Sequence, residues 1–284
     1  MTRPVTASRV WLVLLLTCLT MTAFAANSLL TRLAFQTTTI DAASFTAVRI
    51  VPGAATLWLI ALAGRQPLKV SKVDWLSALL LFVYAAAFSF AYRHISTGAG
   101  ALVLFAAAQL LMIACGLLRG ERTSMTGLMV ALGGLVLFLS PGAAAPPLGA
   151  AVLMALAGFA WGGFSLLGKR GDSPVAGTAL SFMLALPLAL VWMAVQHRSL
   201  TLDAAGVLYA LLSGSLASGV GYALWYWVRV RMAAMTAGAV QLSVPVLSAL
   251  FGAVFLGEAI TVKEAGSALL VLAGIVLVIR RGQR

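Results

Sequence analysis

Residues Ala99–Glu121 read AGALVLFAAAQLLMIACGLLRGE. Between the Ala-Gly-Ala opening and the Arg119-Gly120-Glu121 end, Gln109 is the only amide or charged side chain. Residues Ala237–Glu258 read AGAVQLSVPVLSALFGAVFLGE, with the same opening and the same Gly-Glu close, displaced by 138 residues at the start and 137 at the end. An apolar stretch that recurs at half the chain length makes an internal repeat the first question. The pairing extends outward. Ser28-Leu29-Leu30-Thr31-Arg32 returns as Ser165-Leu166-Leu167-Gly168-Lys169, and Ser44-Phe45 returns as Ser181-Phe182, both at 137. Tyr84 matches Tyr222 and Arg93 matches Arg231 at 138, and Leu132–Leu137 matches Leu272–Leu277 at 140. Matches in constant order with so small a drift give two homologous halves, 1–140 and 147–284, joined by the segment Pro141–Pro147.

The 284 residues are 62% hydrophobic and 9% charged, with mean hydropathy +1.04. Soluble domains carry about 25% charged residues. So much apolar side chain needs the bilayer as its solvent. The formal charge of +12 does not imply an anionic macromolecule, because membrane proteins gather Lys and Arg in cytoplasmic loops. No nucleic-acid motif is present. Cys18 and Cys115 both fall in apolar runs and have no metal-ligand spacing, so they read as small core residues. Arg3, Arg9, the run Val10–Leu19 and Ala23-Phe24-Ala25 imitate a signal peptide. Cleavage would remove most of the segment that mirrors Ala151–Gly168, so the stretch reads as a retained first span.

Ten spans of suitable length follow: Val10–Ala34, Ala42–Ala63, Asp74–Tyr92, Gly98–Leu118, Thr123–Leu139, Leu148–Gly168, Val175–Val195, Ala204–Val228, Ala234–Leu256 and Lys263–Ile279. Helices are the expected form, because backbone groups in hydrocarbon must bond within their own segment. With the N-terminus inside, fourteen of the 19 Lys and Arg residues fall on inner segments and four on outer ones, which predicts both termini in the cytoplasm. Five spans per half is an odd number, so the second half enters the membrane inverted. Inverted repeats are a common architecture of secondary transporters, with the substrate site between the halves near the midplane. The fold expected is an all-α integral membrane protein of ten transmembrane helices in two inverted five-helix repeats.

Two five-helix halves of this length, with Gly-Glu after the fourth and ninth spans, resemble the ten-helix drug/metabolite transporter superfamily in its EamA-type branch. The resemblance covers essentially the whole chain. The most family-like segment is Pro245 through Glu258; the first half has Ala108 near the corresponding place and departs from that pattern. Length and aromatic residues are most similar to amino-acid exporters of the YddG kind. The resemblance implies two EamA-like repeats and efflux of small metabolites across a bacterial inner membrane. It also implies a central cavity lined by the first, third, fourth, sixth, eighth and ninth helices.

The residues offer candidates for that cavity. Thr17, Thr20, Phe24, Asn27 and Thr31 share one face of the first span. That face is expected to look into the bundle, although Thr hydroxyls can also bond back to the i−4 carbonyl. The repeat takes Phe24 to Trp161 and Asn27 to Phe164, and Ser165 follows Phe164 directly. Tyr84 and Phe88 in the third span correspond to Tyr222 and Tyr226 in the eighth. Tyr rings give an apolar wall with a hydroxyl tip, which suits a ligand with both kinds of surface. Tyr92, Trp225 and Trp227 lie near span ends and fit an interfacial belt instead. Gln109, Gln241 and Ser248 complete the candidates, and Pro245 frees a carbonyl about Gln241, which either bends the helix or binds a polar group.

Arg49 lies deep in the second span, with Asp41 two turns earlier as a partner, and is expected to snorkel or pair rather than bind substrate. Its repeat counterpart is Leu186. Glu121 and Glu258 read as loop charges that pair locally or latch a gate. All seven acids fall at span ends or in loops, so a carboxylate proton relay is hard to build and weak or absent proton coupling is expected. No catalytic residue, metal ligand or cofactor is expected: neither His sits in a nucleophile or H-E-x-x-H pattern. A channel would need a ring of charges or a carbonyl filter, and neither is visible. The reading is export of small neutral metabolites, most of all amino acids including aromatic and hydrophobic ones, by alternating access. The alternatives are export of another small metabolite or drug, and a lipid-interacting or membrane-assembly role. The partners are a small-molecule substrate and the lipid bilayer; nucleic acid is not one, and a monomer is sufficient.

Overall fold

The computed structural model describes residues 7–66, 70–118, 120, 124–140, 145–168, 174–231 and 240–281. Among these residues the regular structure is helical, with no strand. Ten helices follow in order: α1 Ala7–Thr37, α2 Ala42–Ala63, α3 Lys72–Tyr92, α4 Thr97–Leu118, α5 Met125–Leu139, α6 Leu148–Leu167, α7 Pro174–Val195, α8 Ala204–Arg229, α9 Ser243–Leu256 and α10 Val262–Arg281. Seven of the described helices are long and apolar enough to cross a membrane, and α5 and α9 are shorter apolar helices. Leu156, Phe159, Val191, Val254 and Phe255 are exposed on the outside of the bundle, where lipid rather than water suits them. The chain is an all-α integral membrane protein.

Helix ends are set by local chemistry. Asp41 accepts from the Ala43 and Ser44 amides, Ser71 and Asp74 form a capping box, Ser124 accepts from Gly127, and Asp203 accepts from Gly206. Each supplies an acceptor to N–H groups that have none inside their helix. The Gly206 amide, first among several donors, holds the Asp203 carboxyl below its usual range. Asp41 also accepts from Thr201, and Asp203 from Thr39, so the α1–α2 and α7–α8 connections are clasped together.

Packing relates the helices in pairs. α1 packs on α8 and α9, and α6 packs on α3 and α4. α2 meets α8 as α7 meets α3, while α2 with α7 and α5 with α10 form pairs of their own. Shifting each label by five leaves this pattern unchanged.

Glycines set the closest approaches. A methyl on Gly158 would overlap the Leu104 carbonyl oxygen of α4, and one on Gly134 would lie 2.7 Å from the Val271 amide of α10. Gly214 presses on α2: a methyl there would overlap the Arg49 carbonyl oxygen and lie 2.7 Å from Pro52 Cγ. Gly133 has open space around its Cβ direction among the described residues. Gly214→Val is therefore expected to yield no monodisperse folded protein on gel filtration. Gly133→Ala should leave the elution profile and Tm unchanged, because nothing stands where the methyl goes.

The structure departs from the expected spans in two places. Ser213–Val220 is a π-helical segment inside α8, so the eighth span is not one regular helix. The ninth span is interrupted at Leu242, and α9 begins at Ser243. Pro245 then sits in the first turn of α9, where its missing N–H leaves no intrahelical bond unmade. From the sequence, Pro245 is expected to free a carbonyl about Gln241, and the interruption at Leu242 falls next to that residue. The start of that span, residues 232–239, lies outside the described residues.

Candidate functional site

Phe24, Asn27 and Ser28 of α1, Tyr84 and Phe88 of α3, and Trp161 of α6 line a small buried cavity with Ala217, Ser218 and Tyr222 of α8 and Ala101, Leu104 and Phe105 of α4. The walls are aromatic. Trp161 has ring centroids of Tyr84 at 5.4 Å, Tyr222 at 5.4 Å, Phe164 at 5.7 Å and Phe24 at 6.3 Å. Such spacings are those of tilted and edge-on aromatic packing.

One side of this cavity is polar, and Asn27 is its hub. Asn27 Oδ1 accepts from Ser213 Oγ at 2.7 Å and from Arg49 Nη2 at 3.0 Å, while its Nδ2 donates to the Tyr84 hydroxyl at 3.2 Å. Arg49 Nη2 also donates to Ser218 Oγ at 3.3 Å. The guanidinium carbon lies 5.2 Å from the Phe88 ring centroid and 6.0 Å from that of Tyr84. The π-helical segment explains the serines. Residues five apart fall on different faces of an α-helix, but i to i+5 bonding brings Ser213 and Ser218 to one side.

Two expectations fail here. Arg49 is only 3% exposed, so it does not snorkel, and Asp41 caps its own helix instead of pairing with it. A central Arg costs about 2.5–3.5 kcal/mol on insertion scales, and the polar hub offsets part of that. The Thr face of α1 divides: Thr17, Thr20 and Thr31 bond back to the Val13, Leu16 and Asn27 carbonyls, leaving Asn27 as the polar group that faces across the bundle.

The remaining candidates lie elsewhere. Gln109 is buried in α4 and Ser165 half-buried in α6, and neither lines the cavity. Ser248 is fully buried in α9 with no hydrogen-bond partner among the described residues, and Gln241 is half-buried just before the break at Leu242. Tyr226 is buried one turn beyond Tyr222, with its hydroxyl against Gly168. Tyr92 and Trp225, read as interfacial, are buried; Trp225 stacks edge-on to Phe24 at 6.1 Å. Ser213 was missed, because its role depends on a π-helical turn that no residue pattern announces.

The cavity measures about 30 Å³, roughly the share of one water in the liquid. Ligand pockets run to about 300–1,000 Å³. The site is small and its lining is mostly buried, and its two ends differ. Toward one end, Phe164 separates Trp161 from a second pocket of about 160 Å³ lined by Ser71, Asp74, Ser77, Thr178 and Ser181 among others. Toward the other end, Phe88 stacks on Tyr92 at 4.6 Å. Beyond it, Arg32 Nε meets Glu258 Oε1 at 3.1 Å. Glu258 thus pairs with α1 rather than with a cation in its own loop, and Glu121 lies outside the described residues.

The model of the EamA-like transporter family matches residues 148–280. An uncharacterized protein of Pseudomonas aeruginosa is 50% identical over 269 residues, covering 94% of each chain. The chain belongs to the EamA-like transporter family. A solved crystal structure with 20% identity superposes with TM-score 0.67 over 95% of this chain and 99% of that one, which establishes the shared fold. An EamA-like transporter is a multi-pass membrane protein that works on small molecules from within the bilayer. The aromatic cavity with its polar wall is lined by side chains of both sequence halves. Among the described residues no cluster of three or more His, Cys, Asp or Glu side chains could hold a metal ion.

Proposed function

We propose that this transporter exports small metabolites, most of all amino acids including aromatic and hydrophobic ones, by alternating access between two inverted five-helix halves, 1–140 and 147–284. The observation that carries the reading is the buried cavity whose walls come from α1, α3 and α4 on one side and α6 and α8 on the other. It combines rings, which suit an apolar side chain, with the Asn27 amide and the Ser218 hydroxyl, which suit a polar head, and the Arg49 guanidinium is bonded to both of these groups. The packing pattern that survives a five-helix shift supports a duplicated unit. The Lys and Arg distribution supports placement in a bacterial inner membrane with both termini cytoplasmic.

In that orientation Arg32, Thr97 and Glu258 lie at the outer ends of their helices, and the polar pocket beside Phe164 lies at the inner ends. The outer route is then tied shut and the inner route is blocked by a single ring. A cavity too small for cargo is an occluded state, and transport requires the halves to part on one side at a time.

Reconstitution tests this directly. Purified protein in liposomes is expected to give saturable uptake of labelled phenylalanine or leucine, trans-stimulated by internal unlabelled amino acid. Imposing a pH gradient should change the steady-state level little, since the described carboxylates sit at helix ends. Uptake no faster than in empty liposomes across an amino-acid panel would remove the amino-acid reading.

A further inference from the structure

Arg49 bonds to two residues of the central cavity wall, Asn27 and Ser218, and its bonding capacity is only partly used. A guanidinium carries five N–H donors and no acceptor. Nη2 is engaged by Asn27 Oδ1 and Ser218 Oγ. Nη1 is buried and has no hydrogen-bond partner among the described residues. The described carboxylates are committed elsewhere: Glu258 to Arg32, Asp41 and Asp203 to helix caps, and Asp74 and Glu264 to the first turns of α3 and α10. A desolvated cation with free donors is stabilised most by an anion that presents oxygen acceptors to the planar fork.

The groups that hold Arg49 are the same ones that face the cavity. Asn27, Tyr84, Phe88 and Ser218 all line it, and each bonds to the guanidinium or presents a ring to it. We propose that Arg49 is the anchor for a carboxylate, so that the cargo is a small organic acid with an apolar or aromatic body, amino acids being its zwitterionic members. This rests on the reading of the central cavity as the substrate site. The rings of Trp161, Phe24 and Tyr222 take the body, and the free Nη1 donors take a carboxylate oxygen. Because the repeat counterpart of Arg49 is Leu186, the anchor is single and fixes one orientation of the bound molecule. A dianionic phosphate ester finds only one cation here and is the poorer match.

The test compares an acid with its isosteric amide. Hydrocinnamate, hydrocinnamamide, phenylalanine and phenylalaninamide are titrated into the purified full chain in detergent, read by tryptophan fluorescence and by Tm. Each acid is expected to bind at least about tenfold tighter than its amide and to raise Tm where the amide does not, a ratio typical of one charge-assisted pair. In Arg49→Gln the ratio is expected to fall to about one, and in Arg49→Lys, which keeps charge but not the fork, to an intermediate value. Should Arg49→Gln fail to fold, the wild-type ratio and Arg49→Lys still decide. Equal binding of acid and amide by the wild type, or a ratio that survives in Arg49→Gln, overturns the anchor. Liposome flux separates this from the transport reading. Acid-selective binding without flux counts against transport alone, and flux of amides as fast as acids counts against the anchor alone.

Discussion

Reversing Glu258 to Arg is expected to open one end of the bundle and to slow net flux by about tenfold or more, a shift of about 1.4 kcal/mol in the balance between closed and open forms. The reason is the number of elements that meet at this one carboxylate. Oε1 takes the Arg32 Nε–H at 3.1 Å, and Oε2 takes the Thr97 amide at 2.7 Å. Arg32 in turn donates through Nη1 to the Tyr92 and Arg93 carbonyl oxygens at 2.8 and 3.1 Å. The end of α1, the α3–α4 connection and the end of α9 are thus held by a single ion pair. Its side chains are 16% and 12% exposed, so water weakens it only in part.

With Arg at both positions the attraction becomes repulsion and the Thr97 amide loses its acceptor. The measurement is labelling of a single Cys placed at Ser96, in a background lacking Cys18 and Cys115, by a membrane-impermeant maleimide. Glu258→Arg and Arg32→Glu should each label at least about tenfold faster than the parent, by the same free-energy conversion. The double exchange should recover only partly, because the acceptor for Thr97 has moved to the other side of the pair. The offset that relates Ser28–Arg32 to Ser165–Lys169 also relates Glu258 to Glu121. Lys169 and Glu121 lie outside the described residues. If the halves alternate, Glu121→Arg should slow the same labelling rather than speed it. Unchanged labelling in Glu258→Arg would remove the latch.

Much of the scaffold could be read from residue order because the bilayer imposes simple rules. Span lengths are fixed by thickness and by the need to bond the backbone internally. Hence α2 matches its expected limits at Ala42 and Ala63, and α4 and α7 begin one residue earlier than expected. Phe24 and Asn27 were singled out from the shared face of the first span, and Tyr84, Phe88, Trp161 and Tyr222 from the repeat; all six line one cavity, while Tyr226, the repeat mate of Phe88, does not. Gln109, Ser165, Tyr226, Gln241 and Ser248 were singled out as polar or aromatic groups in spans, and none of them lines it. Polarity alone says that a group faces protein rather than lipid, not which interior surface it faces.

Arg49 shows the limit most clearly. A one-dimensional reading pairs it with the nearest acid along the helix, yet Asp41 satisfies the N–H groups of its own first turn and is no longer available. Ser213 shows another. Its approach to Asn27 requires the extra residue of a π-helical turn, which Gly214 accommodates by letting α8 lie against the α2 backbone.

Replacing Trp161 by Ala should separate the two functions assigned to the cavity. The indole is 7% exposed and touches rings from α1, α3, α6 and α8, so its removal leaves a hole that no single neighbour can fill. Core Trp→Ala changes cost about 3–5 kcal/mol in soluble proteins, through lost transfer energy plus the cavity. Inside a membrane the transfer part shrinks, because lipid is as apolar as the interior, but lost packing remains. A fall in Tm is therefore expected, with Trp161→Phe falling less. Binding of hydrocinnamate should weaken about tenfold or more as the body loses its wall, by the tenfold-per-1.4 kcal/mol rule. The acid-to-amide ratio should nevertheless persist, since Arg49, Asn27 and Ser218 are bonded to one another and not to the indole. The indole also stands between the cavity and Phe164, so the variant should pass ligands less selectively toward the pocket beside Ser77 and Thr178. Unaltered affinity with a normal Tm would mean that the rings around Trp161 are ordinary helix packing. Loss of the acid preference along with affinity would mean that wall and anchor are one structural unit rather than two separable parts.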